Sequence, residues 1–238
     1  MTRTLAILDL FADGQAHRIV DLVRATDLQT STVHRLVRTL ARAGWLEQAS
    51  GGGAYRLSLR AAIVGRAAVD GFPGTQAADV LAGLRDRLDV GVSFGIPGRR
   101  VAHLLVQFPA DRAVTVPSGA REAGPLHTCA MARVFLAHGL MSLDAAGNEP
   151  YRRYTEHTVR RRADLEVLVG TCREIGHAVS ADEYLPGTTS VAVPVRTADG
   201  AVVAALSVEG DTDLFDPEFT TEGVDALHRA APLLARTP

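Results

Sequence analysis

Six polar side chains with the chemistry of nucleic-acid recognition crowd one short stretch of this sequence. Ser31, Thr32, His34, Arg35, Arg38 and Arg42 supply hydroxyls, an imidazole and guanidiniums. Such groups meet phosphate oxygens and base edges in the major groove of a duplex. Between them Val33, Leu36, Val37 and Leu40 fall at i, i+3, i+4, i+7, which makes one side of a helix apolar and ready for burial. The spacing predicts a helix from Thr30 to Arg42, with Thr30 or Ser31 as N-cap. Gly44 stands just past the last turn, where a left-handed residue is wanted. A solvated amphipathic helix carries the same pattern, so the flanking elements must decide between the two readings.

Those elements favour recognition. Arg3–Ala12 reads as a first helix, with Leu5, Ile7, Leu8, Leu10 and Phe11 on a broad apolar face, broken at Asp13-Gly14. His17–Ala25 reads as a short second helix, and Asp27–Gln29 as a tight turn into the third. Three helices with a short link between the last two are helix-turn-helix connectivity. Trp45–Gln48 and Tyr55–Leu57 read as strands around a Ser50–Gly53 tip, a hairpin placed where a wing would be. The tip glycines let the backbone approach phosphates, and Arg56 adds charge; a bland connector is the alternative. Ser58–Val69 returns to helix, and Gly71–Gly74 marks a boundary. The predicted division is residues 1–57 for DNA binding, 58–74 for a linker helix and hinge, and 75–238 for a second domain.

The 238 residues, 47% of them hydrophobic, suffice for a core, and no apolar run approaches the roughly 20 residues that span a bilayer. Two cysteines make no disulfide framework, and the N-terminus lacks a signal-peptide pattern, so a cytoplasmic location is expected. The net charge of −2 argues by itself against a nucleic-acid binder, but the distribution does not. Residues 1–70 hold nine Arg against six Asp and Glu, and residues 71–238 hold sixteen against twenty-one. A basic head on an acidic body fits a DNA-binding module joined to something else.

The body reads as helix (75–88), two strands joined by a turn at Pro97–Arg100 (90–96 and 101–108), a third strand (Ala113–Pro117), a loop (118–125), two helices (127–138 and 163–175), a short strand (177–180), a loop (182–189), a hairpin (190–196 and 202–209) and a final helix from Pro217. Hairpin-linked strands interrupted by helices predict an α+β fold with an antiparallel sheet flanked by helices. Small residues from Cys129 to Ala132 open a helix whose unpaired N–H groups suit a carboxylate or phosphate, with the Thr128 hydroxyl beside them; plain helix capping is the alternative. His127 and Cys129 invite a thiol-enzyme reading, but residues two apart rarely present nucleophile and base to one another and no third member is evident. His127, His138, Cys129 and Cys172 lack metal-ligand spacing. No cofactor, metal or catalytic group is expected. Cys129 is either a redox sensor or a buried inert thiol. Arg160–Arg162 reads as a solvated helix start without a DNA role.

With these words in hand the chain resembles the IclR family of bacterial transcription regulators over almost its whole length. The matching words are RTLAILDLF from Arg3, STVHRLVRTLARAGWLE from Ser31, YRLSLR from Tyr55, PLHTCAMARVFLA from Pro125, DEYLPGTTSVAVPV from Asp182 and DGAVVAALSVEG from Asp199. The resemblance implies a winged helix-turn-helix, a linker helix and a GAF-like effector domain. It also implies homodimers, often homotetramers, on pseudo-palindromic double-stranded operators, and a small-molecule effector. The helix N-terminus after Thr128 makes a small organic acid the expected effector, and the lack of a long apolar run leaves no membrane partner expected. DNA contacts are then expected from Thr30, Ser31, Thr32, His34, Arg35, Arg38 and Arg56. Effector contacts are expected from Thr128, Cys129, Ala130, Met131, Ser180, Asp182, Glu183, Ser190 and Ser207. The chain departs from the family pattern at Ala132-Arg133 (usually Gly-Lys), at Ser180 (usually acidic) and at Ser190 (often Cys). Two alternatives remain: a constitutive DNA binder whose body only oligomerises, and a Cys129-dependent enzyme.

Overall fold

The computed structural model describes residues 2–70, 74–98, 101–110 and 121–235. The chain divides into two compact units, Met1–Phe72 and Pro73–Pro238. The anticipated strand at Ala113–Pro117, the Arg99-Arg100 part of the first turn and the Gly71–Pro73 part of the boundary lie outside the described residues.

The first unit runs α1 (Thr2–Leu8), β1 (His17–Arg18), α2 (Ile19–Arg24), α3 (Thr30–Arg42), β2 (Leu46–Gln48), β3 (Ala54–Leu57) and α4 (Leu59–Asp70). A 3-10 turn at Asp9–Phe11 ends α1 early. Ile7, Phe11, Leu22, Val33, Val37, Leu40 and Leu46 form the core, each contributing roughly 1.5–3 kcal/mol by burial. Val33, Val37 and Leu40 are the i, i+4, i+7 positions of α3, so the apolar stripe faces inward and its polar companions face out. Gly44 sits at φ +77°, as expected of its place after the helix.

Two details differ from expectation. His17 and Arg18 do not begin α2; they pair with Tyr55 and Ala54 and complete a three-stranded sheet in the order β1-β3-β2. The His17 ring packs edge-on against Phe11 at 5.3 Å and its Nε2 lies 2.9 Å from Asp13 Oδ2. Those nonlocal partners outweigh the local helical pattern. The N-cap of α3 is Gln29, with no side-chain cap bond, and the amides of Thr32 and Val33 donate to its carbonyl. The hydroxyls of Thr30 and Ser31 therefore stay exposed on the first turn.

The second unit runs α5 (Gly74–Leu88), β4 (Gly91–Pro97), β5 (Ala102–Phe108), β6 (Arg121–Glu122), α6 (Ala130–Ala137), α7 (Arg162–Ile175), β7 (Ala178–Ala181), β8 (Thr188–Arg196), β9 (Val202–Asp211) and α8 (Pro217–Leu234). The strands form one antiparallel sheet in the order β6-β5-β4-β9-β8-β7. Successive strand residues point to opposite faces. Ala192 and Ala205 join the core beneath α6 and α7, while α8 covers β8 and β9 and packs on α5. Asp216 caps α8 by accepting from the Phe219 amide at 2.7 Å, with Pro217 in the first turn.

Three boundaries shift. Residues 126–128 form a 3-10 turn and Cys129 is extended, so α6 starts at Ala130 and not at His127. The expected 118–125 loop contains the short strand β6, which pairs with β5. The 182–189 loop is shorter than anticipated, because β8 starts at Thr188 opposite Asp211. In the last two cases pairing across the sheet decides what the local residues leave open.

Candidate functional site

The first candidate is the outer face of α3. Thr30, Ser31, His34, Arg35, Arg38 and Arg42 are exposed and Thr32 is half-buried. Among the described residues no acidic side chain pairs with Arg35, Arg38 or Arg42 within 4.0 Å. Three guanidiniums and the hydroxyls of the first turn therefore face solvent with their donors uncommitted, the condition under which phosphate can take them. Arg35, Thr32 and Leu36 also line a cleft with Thr2, Arg3 and Thr4 of α1. Arg3 thus adds a cation to this surface that reading α3 alone misses; the clue was its place on the solvent side of the first helix. Arg56 is placed differently. The β2–β3 register sets it opposite Glu47, and its Nη2 lies 2.7 Å from Glu47 Oε1. It does not join the α3 cluster. The wing tip between these strands has Gly51, Gly52 and Gly53 all at positive φ, conformations that only glycine adopts without strain.

The second candidate is a cavity of about 70 Å³ between α6 and the sheet, room for a few waters or one small organic molecule. The register builds it. Ser180 pairs with Ser190 and Ser190 with Glu209; in the next same-face row Ala192 pairs with Ser207 and Ser207 with Ser93. Four serines and one glutamate thus stand on one patch of sheet. Thr128, Cys129, Ala130 and Met131 form the opposite wall, and Tyr184, Leu185 and Thr188 lie at the end of β8. Gly95 lets α6 approach the sheet: a Cβ there would stand 2.8 Å from Met131 Sδ and 2.9 Å from the His103 carbonyl oxygen.

Seven of the nine expected effector residues, Thr128, Cys129, Ala130, Met131, Ser180, Ser190 and Ser207, line this cavity. Asp182 and Glu183 do not. Asp182 holds φ +54° and its carboxylate accepts from the Gly187 amide, so it shapes the turn. Glu183 is 7% exposed and pairs with Arg133, which is 1% exposed. The Arg133 guanidinium also donates to the carbonyls of Val179 and His127. Its Nε is buried without a partner among the described residues. Ser180 Oγ donates to the Thr128 carbonyl at 2.8 Å, and Thr158 Oγ1 to the Glu183 carbonyl at 2.8 Å. The His127 ring stacks on Tyr151 at 4.9 Å, and Tyr154 meets the cavity residue Tyr184 edge-on at 4.9 Å. These bonds fasten the α6 entry, the 150–158 loop and the 182–187 turn around the cavity. Glu209 and Ser93 escaped sequence reading. The signal was the hairpin: once Ser190 and Ser207 are chosen, its pairing sets 209 opposite 190.

The electrostatics bear on the thiol. Burial pushes Cys129 up, the amides of Ala132 and Met131 and the charge of Arg133 pull it partly back, and Glu209 raises it again. Cys172 is pushed up to about 11, chiefly by burial. Neither thiol is held as the thiolate that nucleophilic chemistry needs. His127 is lowered by burial, against the hydrogen bond to the Arg152 carbonyl. Among the described residues no group of His, Cys, Asp and Glu has the arrangement to hold a metal ion, and no helix is long and apolar enough to cross a membrane.

Comparison with known proteins follows the same division. Residues 1–50 match the IclR helix-turn-helix domain, and residues 75–236 match the model described as bacterial transcriptional regulator IclR C-terminal. The HTH-type transcriptional regulator XynR of Escherichia coli K12 is 29% identical, with 98% of this chain and 94% of the relative covered. The HTH-type transcriptional regulator BhcR of Paracoccus denitrificans is 28% identical over 89% of this chain and 77% of its own length. A crystal structure of a putative IclR transcriptional regulator from Silicibacter sp. TM1040 superposes with a TM-score of 0.74 at 25% identity, covering 100% of this chain and 97% of that one. The Thermotoga maritima IclR shares the fold, with a TM-score of 0.60 at 18% identity over 98% of this chain and 96% of its own.

Proposed function

This chain belongs to the IclR family of bacterial transcriptional regulators, and from that premise we propose a ligand-responsive DNA-binding protein that acts by binding and not by turnover. Residues 1–57 grip DNA, 58–74 link, and 75–238 bind the effector and self-associate into a homodimer or homotetramer in the cytoplasm. Thr30, Ser31, Thr32, His34, Arg35 and Arg38 enter the major groove, and Arg3 and Arg56 touch the flanking backbone. Two α3 helices in a dimer then require half-sites about one helical turn apart, or a multiple of it. The observation that carries this reading is the exposed face of α3 and its unpaired arginines.

The effector is a small organic acid. Its carboxylate lies at the N–H groups opening α6 beside Thr128, and its remaining polar atoms meet Ser93, Ser180, Ser190 and Ser207. Glu209, in the same wall, disfavours a second carboxylate and favours a hydroxyl or ammonium on the ligand. The effector alters DNA binding by preferring one arrangement of the heads, and a tenfold preference supplies about 1.4 kcal/mol. A thermal-shift screen of small mono-, hydroxy- and amino acids tests this. A ligand at a hundred times its Kd raises stability by about 2.7 kcal/mol, and the gain disappears in Ser190→Val. No shift from any acid would leave a body that only oligomerises.

A further inference from the structure

Away from the cavity, five basic side chains from neighbouring elements lie together on the second unit. His138 follows α6, Arg173 lies in the last turn of α7, and His177 follows that helix. Arg196 ends β8, and His228 projects from α8. Arg196 Nη2 lies 3.5 Å from His138 Nε2. Arg173 Nε donates to the Ala137 carbonyl at 2.9 Å, which sets its guanidinium one residue from His138. The His228 ring is 3.9 Å from where a Cβ on Gly176 would stand, next to His177. None of the five lines the effector cavity.

The cluster is poorly neutralised. Among the described residues neither Arg173 nor Arg196 has an acidic partner within 4.0 Å. The acids nearest to these side chains in sequence are Glu174, Asp199 and Asp225. On the same helices Asp164, Glu166, Glu218 and Glu222 lie more than one turn away, and Glu166 and Glu222 pair with Arg162 and Arg87. Asp199 accepts from the Thr197 hydroxyl, and the charge of Asp225 acts on His228. His138 is lowered by burial and then by Arg196 and Arg173. His228 is lowered by burial and then by His177, with Asp225 opposing and Arg196 adding. Arg196 acts on both. The α6 and α7 C-termini attract cations through their carbonyls, and the bond to Ala137 accounts for Arg173 in that way. It does not account for His228 on another helix, and Arg196, whose Nη1 donates to the Gly200 carbonyl at 3.1 Å, still turns its Nη2 toward His138.

We propose that His138, Arg173, His177, Arg196 and His228 form a second ligand site on this regulator, one that takes a phosphate group. Guanidinium forks match phosphate oxygens in pairs, and imidazoles in this range become donors when protonated. A phosphate dianion would raise the pKa of His138 and of His228. Binding is therefore coupled to proton uptake by the histidines and tightens as pH falls from about 8 toward about 7; below that inorganic phosphate loses its second charge, and a phosphate ester does so near about pH 6. The group comes either as free phosphate or on a small phosphorylated metabolite.

The test is an NMR titration of the histidine ring signals of the full chain, with inorganic phosphate and with glycerol 3-phosphate at constant ionic strength. Saturable shifts of His138 and His228 are expected, with the ester bound more tightly at pH 6.8 than at pH 8. Affinity should fall at least tenfold in Arg196→Gln and separately in Arg173→Gln, each checked by its melting temperature. Tighter binding of the ester points to a phosphorylated metabolite, and equal or tighter binding of the inorganic ion to free phosphate; either outcome supports the site. Shifts that fail to saturate, or that persist unchanged in both folded variants, overturn it.

Discussion

The outer face of α3 and the cavity beneath α6 use similar side chains in opposite ways. On α3 the hydroxyls and guanidiniums are exposed, and the arginines have no acidic partner among the described residues. Around the cavity the polar groups are buried and bonded inward: Arg133 to Glu183, Ser180 to Thr128, Thr158 to the Glu183 carbonyl. An uncommitted surface suits a partner that arrives with its own charge, as DNA does. A braced one suits a small ligand that must find its contacts already in place. Substitutions on α3 should therefore change binding and spare folding, whereas substitutions around the cavity should change folding first.

The largest effect should come from Glu183→Ala. It strands the Arg133 guanidinium in the interior, at a cost of about 3–5 kcal/mol, read from denaturant unfolding of the second unit. A loss below about 1 kcal/mol would mean that the pair behaves like a surface bridge and would erase the contrast. Gly95→Ala comes next, because its new Cβ meets Met131 Sδ and the backbone of His103. Overpacking of this kind costs about 1–3 kcal/mol, visible as a lower melting temperature. Arg35→Ala should leave melting unchanged and weaken DNA binding by about 1–3 kcal/mol if it reads a base. Arg56→Ala breaks an exposed pair with Glu47 worth about 0–1 kcal/mol, so its melting temperature should barely move.

Acidification sharpens the same comparison. His127, His138 and His228, all in the second unit, are lowered chiefly by burial. Below about pH 6.5 the unfolded chain takes up the proton first. Stability from these groups is present above that value and drains as pH falls toward the folded values. The second unit should lose stability between about pH 7.5 and 5.5, measured by melting at matched ionic strength, and an unchanged transition would contradict the burial.

What sequence reading captured follows from the range of the interactions. The α3 helix is a local object, and its periodic stripe gave both ends, Thr30 and Arg42, as observed. The N-cap is Gln29; Thr30 and Ser31 have the right chemistry for it but lie one and two residues too far along. The local pattern carries His17 and Arg18 into a helix, because their true partners, Tyr55 and Ala54, are far along the chain. At the cavity, Ser190 and Ser207 came from family words, but Glu209 and Ser93 become neighbours only through strand register. Arg133 stood out as a departure from the family pattern; its pairing with Glu183, fifty residues on, is a property of the packed interior.

The most direct test of α3 on DNA is a salt series of binding by fluorescence anisotropy, using a duplex selected from a random pool by the wild-type chain. Wild type and Arg35→Ala are compared. The variant should bind at least tenfold more weakly, or, if Arg35 meets phosphate alone, show a slope of log K against log salt shallower by about 1. Equal affinities and equal slopes would contradict the placement of α3 on DNA.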